Sequence, residues 1–181
     1  MACNVTLDAI GLSCTDNYSG GLKSLLIYNR SDLVEDGVTV DEALGTYSAT
    51  INSFAKAVNF DFNNKDAFSN FTDVITAGAD GTRTVVPTIT MEFTRMDVSK
   101  RTALQALTVA GAELVAVLET AAGTQHLVGF EFGLMGSSVD GASGAARGDK
   151  NRYQLTLSGE ENSLAYQPAL AADWDFLAKV S

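Results

Sequence analysis

The clearest pattern along the chain is an alternation between Thr84 and Thr94. Val85, Pro87, Ile89, Met91 and Phe93 fall on one side, and Thr84, Val86, Thr88, Thr90, Glu92 and Thr94 on the other. A period of two is that of a half-buried strand, and threonine suits a pleated, partly wetted surface. Pro87 has no N–H to give to a ladder, so the strand is expected to be an edge, or to carry a bulge, at that point. Alternation also marks Tyr47, Ala49 and Ile51 against Ser48, Thr50 and Asn52, and Tyr153, Leu155 and Leu157 against Gln154, Thr156 and Ser158. The run Gly21–Asn29 (GLKSLLIYN) is apolar enough for a strand and is punctuated at both ends, by Gly20-Gly21 and by Asn29-Arg30-Ser31-Asp32. Glu113–Thr120 and Gln125–Leu134 read as a hairpin about Ala122-Gly123, with His126, Val128, Phe130, Phe132 and Leu134 on one face.

Two segments show helical spacing. Phe68, Phe71, Val74 and Ile75 recur at threes and fours between Asn63 and Ala77, with Asn63 or Asn64 as cap and Gly78 as stop. Asp97, Val98 and Ser99 give a capping signal ahead of KRTALQALTVA, whose Ala103, Leu104 and Leu107 share a face and which Gly111 ends. Residues 31–45 are polar and acidic (Asp32, Glu35, Asp36, Asp41, Glu42) and read as an exposed loop. Residues 137–151, with Asp140, Arg147, Asp149 and Lys150 among Gly, Ala and Ser, have the composition of a mobile loop or long hairpin tip. An N-terminal arm 1–20 and a C-terminal arm 166–181, the latter holding the only tryptophan, Trp174, flank the rest. About seven strands and two short helices result. The chain 1–181 is thus expected to be one mainly β (α+β) domain, an antiparallel sandwich or barrel with one or two short flanking helices.

Charge narrows the function. With 22 acidic and 12 basic residues the net charge is −10, which repels nucleic acid rather than attracting it. The N-terminus lacks a basic region followed by an apolar block, and no apolar run is long enough to span a bilayer, so neither secretion nor a membrane is expected. Cys3 and Cys14 are then expected as free thiols, although spacing alone leaves a disulfide open.

The inventory for catalysis is short. A triad would have to run through the single histidine, His126, which sits inside an apolar alternation; no serine lies in a G-x-S-x-G elbow. Carboxylate pairs such as Glu35 and Asp36, Asp41 and Glu42, or Glu160 and Glu161 fall in expected loops, where solvation suits them poorly for acid catalysis. The stretch GAARGDK (144–150) lacks the spacing of a phosphate loop, and no calcium loop is present. The sequence therefore reads as a non-enzyme with no cofactor and no metal.

The opening MACN, the stretch to Cys14, Gly20-Gly21-Leu22-Lys23 and the strand to Tyr28 and Asn29 resemble the start of tail-tube (major tail) proteins of tailed bacteriophages. The order of strands, a short helix at Ser99–Ala110, a hairpin with a Gly-rich tip and a final strand is similar to theirs. That resemblance implies a β-sandwich or barrel forming hexameric rings, in which neighbouring sheets join into one lumen-lining barrel. Stacked rings make a tube that conducts genomic DNA without binding it specifically and holds the tape-measure protein and other tail proteins. It further implies a place in the virion, after assembly in the host cytoplasm.

In such a tube an acidic lumen keeps DNA from sticking. Thr84, Thr88, Thr90, Glu92 and Thr94 are the candidate lumen-facing set. Asp32, Glu35, Asp36, Asp41, Glu42, Asp140, Arg147, Asp149, Lys150 and Trp174 are candidate contacts between subunits or rings. The rival readings are a tail terminator, neck or head decoration protein and, from another class, a carbohydrate- or cell-binding β-sandwich module. The last needs an exposed aromatic platform, whereas Tyr and Phe are expected largely on core faces.

Overall fold

The computed structural model describes residues 20–35, 38–49, 58–61, 69–79, 81–94, 96–108, 112–146, 148–149 and 151–170. Cys3, Cys14, Ile51, Asn63, Asn64, Phe68 and Gly111 lie outside the described residues, as do Asp36, Arg147, Lys150 and Trp174, residues 1–19 of the N-terminal arm and 171–181 of the C-terminal arm. The described chain is mainly β, in the order β1 (Leu22–Asn29), α1 (Arg30–Glu35), β2 (Val38–Asp41), β3 (Thr46–Ala49), β4 (Val58–Asp61), β5 (Asn70–Ala77) and β6 (Arg83–Thr94). Then follow α2 (Val98–Leu107), β7 (Leu114–Thr120), β8 (Gln125–Val128), β9 (Met135–Ala142), β10 (Arg152–Ser158) and β11 (Gln167–Pro168).

These strands make three sheets, ordered β4-β1-β7-β8, β5-β6-β10-β9 and β11-β3-β2, antiparallel throughout except where β11 runs parallel to β3. The first sheet is the middle layer. On one side its Leu25, Ile27, Ala116, Leu118 and Val128 meet Ile89, Met91, Leu155 and Leu157 of the second sheet, with Leu104 and Leu107 of α2 closing the core. On the other side Leu26, Tyr28, Val115, Val117 and Leu127 meet Leu33, Val38, Tyr47 and Tyr166. A strand covered on both faces needs apolar residues at successive positions, which is why Leu25-Leu26-Ile27-Tyr28 and Leu114–Leu118 are apolar without alternation. The second sheet has one wet face, so β6 and β10 alternate.

α2 begins where its sequence signal lies. Asp97 Oδ1 accepts the Lys100 N–H at 2.8 Å, and the Lys100 ammonium pairs with the same carboxylate at 3.2 Å. These bonds hold the Asp97 carboxyl below its ordinary range.

Three expectations are corrected. Residues 70–77 are a strand, not the second half of a helix: they pair with β6 from Asn70↔Thr90 to Ala77↔Arg83, about a turn with Gly81 at φ 86°. The spacing of Phe71, Val74 and Ile75 fits a helix, but Thr72, Val74, Ile75 and Thr76 are β-branched and the partner strand is the strongest in the chain. Residues 31–45 are not all loop: fully buried Leu33 seats α1, and Val38 anchors β2 beside β3. Residues 137–151 begin as six residues of β9, paired to β10 from Met135↔Ser158 to Ala142↔Arg152, so the tip is confined to 143–151.

Pro87 also differs from expectation, because β6 is an inner strand. Its ladder with β10 ends at Thr88↔Ser158, one residue before Pro87. There Pro87 accepts from the Gly159 N–H at 3.4 Å, and its missing N–H falls where the partner strand has just ended.

Leu155 is fully buried, whereas Thr72 is exposed on the far face of the same sheet. Leu155→Ala is expected to cost about 2–5 kcal/mol of unfolding free energy in urea titration. Thr72→Ala should change it by no more than about 0.5 kcal/mol, and equal losses would contradict this assignment of faces.

Candidate functional site

The uncovered face of the second sheet carries mostly hydroxyl and amide groups. Register sets Thr76 beside Thr84, Thr72 beside Thr88, and Asn70, Thr90, Thr156 and Ser138 in one row across all four strands. Thr84, Thr88, Thr90 and Thr94 are half-exposed there, so four of the five candidate lumen residues share a wetted face. Glu92 is not the exposed acidic member expected. It is 4% exposed, and the Arg152 guanidinium reaches its carboxylate. A carboxylate among threonines on a sheet face is covered when a long cation folds over it from the neighbouring strand, here from the position diagonal to Glu92.

The two edges of this sheet differ from the β8 edge of the middle layer. β8 is overlaid by the 161–168 segment, with Leu127 and Tyr166 exchanging backbone bonds of 2.8 and 3.0 Å. β5 and β9 are each eight residues long and end the sheet. They expose Val74 and Ile75 on one edge and Met135 and Val139 on the other, each between 44% and 55% accessible.

The candidate contact residues are spread rather than gathered. Asp32 accepts from Asn29 Nδ2 at 3.3 Å beside α1, and Glu35 ends that helix. Asp41 Oδ1 takes the N–H groups of Ala43 and Leu44 at 3.0 and 3.1 Å, forming the β2–β3 turn that exposes Glu42. Asp140 is exposed on β9. Asp149 Oδ2 accepts from Ala145 and Ala146 at 2.8 and 2.7 Å, bonds that lower its carboxyl below the usual range and fold the 143–151 tip. Asp41 and Asp149 are therefore turn-forming residues in the single chain.

A groove of about 640 Å³ opens on the wet face between β6, the 132–135 segment and residues 158–162. The alternation from His126 to Leu134 predicts Phe130 and Phe132 on one face of a long strand, but β8 stops at Val128 and the chain turns at Gly129 (φ 82°) and Gly133 (φ 86°). A Cβ on Gly129 would meet Leu134 Cγ at 2.6 Å, and one on Gly133 would meet Glu113 Cβ at 2.9 Å, so both positions demand glycine. Between them Phe130 packs against the core of the middle layer while Phe132 stands 57% exposed at the groove.

Long-range polar contacts hold this turn. The buried Glu161 carboxylate accepts the N–H groups of Glu131 and Phe132 at 3.1 and 3.3 Å. Burial, reinforced by the Glu131 charge, nevertheless pushes its carboxyl above the usual range. From the other side Arg30 donates to the carbonyls of Phe130 and Glu131, and to the Glu113 carboxylate at 3.1 Å. Glu131 in turn accepts the Tyr166 hydroxyl at 2.7 Å and the Asn162 N–H at 2.8 Å. Burial raises the Tyr166 phenol to about 12, so it stays a donor.

His126 and Asp73 face each other in the seam between the two large sheets. Asp73 Oδ2 takes the Ala165 N–H at 2.8 Å, whereas Asp73 Oδ1 and His126 Nδ1 are buried without a partner. The Phe71 ring lies 5.8 Å from the imidazole. Burial raises the Asp73 carboxyl and lowers His126 below 6.5, the latter against the opposing pull of Asp73. An imidazole held neutral beside an aspartate resembles two members of a hydrolytic triad, but among the described residues the grooves of about 640, 180 and 240 Å³ include neither, and Asp73 lines a crevice of about 10 Å³. Among the described residues no three His, Cys, Asp or Glu side chains gather as a metal site, and no helix is long and apolar enough to cross a membrane.

A scan against protein-family models finds no match, and a search of curated proteins finds none.

The seam gives a pH dependence. Folding holds His126 neutral while the unfolded imidazole takes a proton near 6.5, so stability falls as pH drops from 7 into the range below 6.5. The Asp73 burial cost is full at neutral pH and is relieved as pH falls through its raised value towards 3.8. His126→Gln is expected to lose the first slope and Asp73→Asn to gain stability mainly at neutral pH, both by urea midpoints between pH 4 and 8. Parallel profiles for all three proteins would contradict it.

Proposed function

We propose that this chain is a structural, self-associating virion subunit of the tail-tube kind, not an enzyme. It forms hexameric rings that stack into a tube through which genomic DNA passes. The observation that carries this reading is the pair of eight-residue strands at opposite edges of one sheet, which no other strand covers among the described residues. A monomer guards its edges with charge, proline or a covering segment. β5 and β9 instead offer apolar side chains, with Asp140 the exposed charge on β9, while β8 of the same chain is covered. Two different edges joined head to tail generate a ring when the rotation closes. A tape-measure protein and other tail proteins are the partners this role requires, in the virion after assembly in the host cytoplasm. The charge of −10 per chain supports DNA transit, because phosphates find little to hold them.

Backbone alternation selects the test. Val85 exchanges both of its bonds with Glu161 on the β10 side, so Val86 and its partner Val74 bond to one another and the Ile75 N–H points off the free edge. The same counting across β10 leaves the Val139 N–H on the opposite edge. Ile75→Pro and Val139→Pro should each leave the circular-dichroism spectrum in place and abolish rings or tubes in negative-stain microscopy, at concentrations where the parent assembles. A parent that stays monomeric at every salt and concentration would count against the reading, as would proline variants that assemble like the parent.

A further inference from the structure

We infer that the groove beside Phe132 is a binding site for a neutral saccharide. Its walls combine an exposed aromatic ring, 57% accessible, with Met135 and four polar side chains, those of Thr84, Ser158, Glu160 and Asn162. Within the described residues none of those four side chains makes a hydrogen bond or ion pair. They converge on the groove with donors and acceptors unspent, while the deeper carboxylates, Glu161 and Glu131, are occupied in holding the turn. Its volume of about 640 Å³ lies in the range of small-molecule sites.

The lining selects the ligand class. An apolar side chain from another protein would bury four polar groups without partners, each an uncompensated loss. An anion would meet Glu160 with no lysine or arginine in the wall. A pyranose suits both parts: its C–H face lies on an aromatic ring, and its hydroxyls serve an amide, a carboxylate and two hydroxyls at once.

The ring is also held in advance. Glu161 fixes the Phe132 N–H, Arg30 fixes the carbonyls of the two residues before it, and Gly133 closes the turn. A site whose backbone is clamped from two sides loses little freedom on binding. An exposed phenylalanine, which gains nothing from such clamping in the free chain, is explained by it.

The site lies within one chain, so its test is separate from ring assembly. The full-length protein, as subunit and as assembled particle, is titrated with cello-, malto-, xylo- and chito-oligosaccharides by saturation-transfer NMR and calorimetry. Sulfated and sialylated glycans and a lysine-rich peptide serve as comparisons. At least one neutral series is expected to bind, with affinity about tenfold weaker in Phe132→Ala and in Asn162→Ala and retained in Phe132→Trp. Thermal melts of the variants should match the parent. The inference fails if no neutral oligosaccharide saturates at millimolar concentration, if Phe132→Ala binds as the parent does, or if the anionic glycans or the peptide bind better.

Discussion

The sheet β4-β1-β7-β8 is covered on both faces, and much of the molecule follows from keeping water off it. Each covering layer must come from elsewhere in the chain: the second sheet on one side, and α1 with the small β11-β3-β2 sheet on the other. Short elements that could not stand alone exist because this surface needs a lid. α1 has six residues and β11 has two, and both are placed by buried Leu33, Tyr47 and Tyr166 rather than by their own propensity. The wet face of the second sheet is the surface left over, so any role that needs a broad, flat contact area falls to it.

Residues 159–168 tie these layers together. Within ten residues the backbone bonds to Val85 of the second sheet, to Leu127 of the middle sheet and to Gly45 just ahead of β3 in the third, while Asp73 reaches Ala165 from β5. A chain that crosses three sheets carries polar backbone through a low-dielectric seam, and the side chains around it satisfy that backbone. Glu161, Glu131 and Asp73 are the acidic members of this set, and the raised carboxyls of Glu161 and Asp73 express the burial cost. The same strap covers the β8 edge and shapes the groove beside Phe132, so core closure and surface recognition share one segment.

What could be read from the sequence divides along the range of the interaction. β6, β10 and the Asp97 cap were legible because alternation and capping are local signals, and β7 because its apolar run leads into the Ala122-Gly123 turn. β5 was misread because Phe71, Val74 and Ile75 satisfy both periods, and only the register with β6 distinguishes them. The acidic residues of 31–45 hid Leu33 and Val38, and the glycines and serines of 137–142 hid an edge strand whose stability comes from β10. The groove was the least legible part. Its Phe132 follows an apolar alternation that Gly129 breaks, and the clamp pairs Arg30 with carbonyls about a hundred residues away, for which no local pattern exists. The glycines at 129 and 133 were the available signal, since two glycines four apart at the end of a strand pattern mark a turn.

The burial of Glu92 changes how an acidic protein would let DNA slide past. If the threonine face lines a tube, its middle is hydroxyl rather than anionic, because Glu92 is spent on Arg152. That pairing acts in the same direction as a negative wall by a different route. An unpaired arginine on this face would bind phosphate bidentately and hold it, and the buried Glu92 carboxylate takes one nitrogen of the Arg152 guanidinium instead. Hydroxyls exchange bonds with water and with phosphate at little net gain, so a threonine surface is a weak trap. Repulsion then comes from residues at the margins of the face, such as exposed Asp140 on β9 and Glu160 at the groove. On this reading low adhesion rests first on neutralising the cation that could stick, and only second on the net charge.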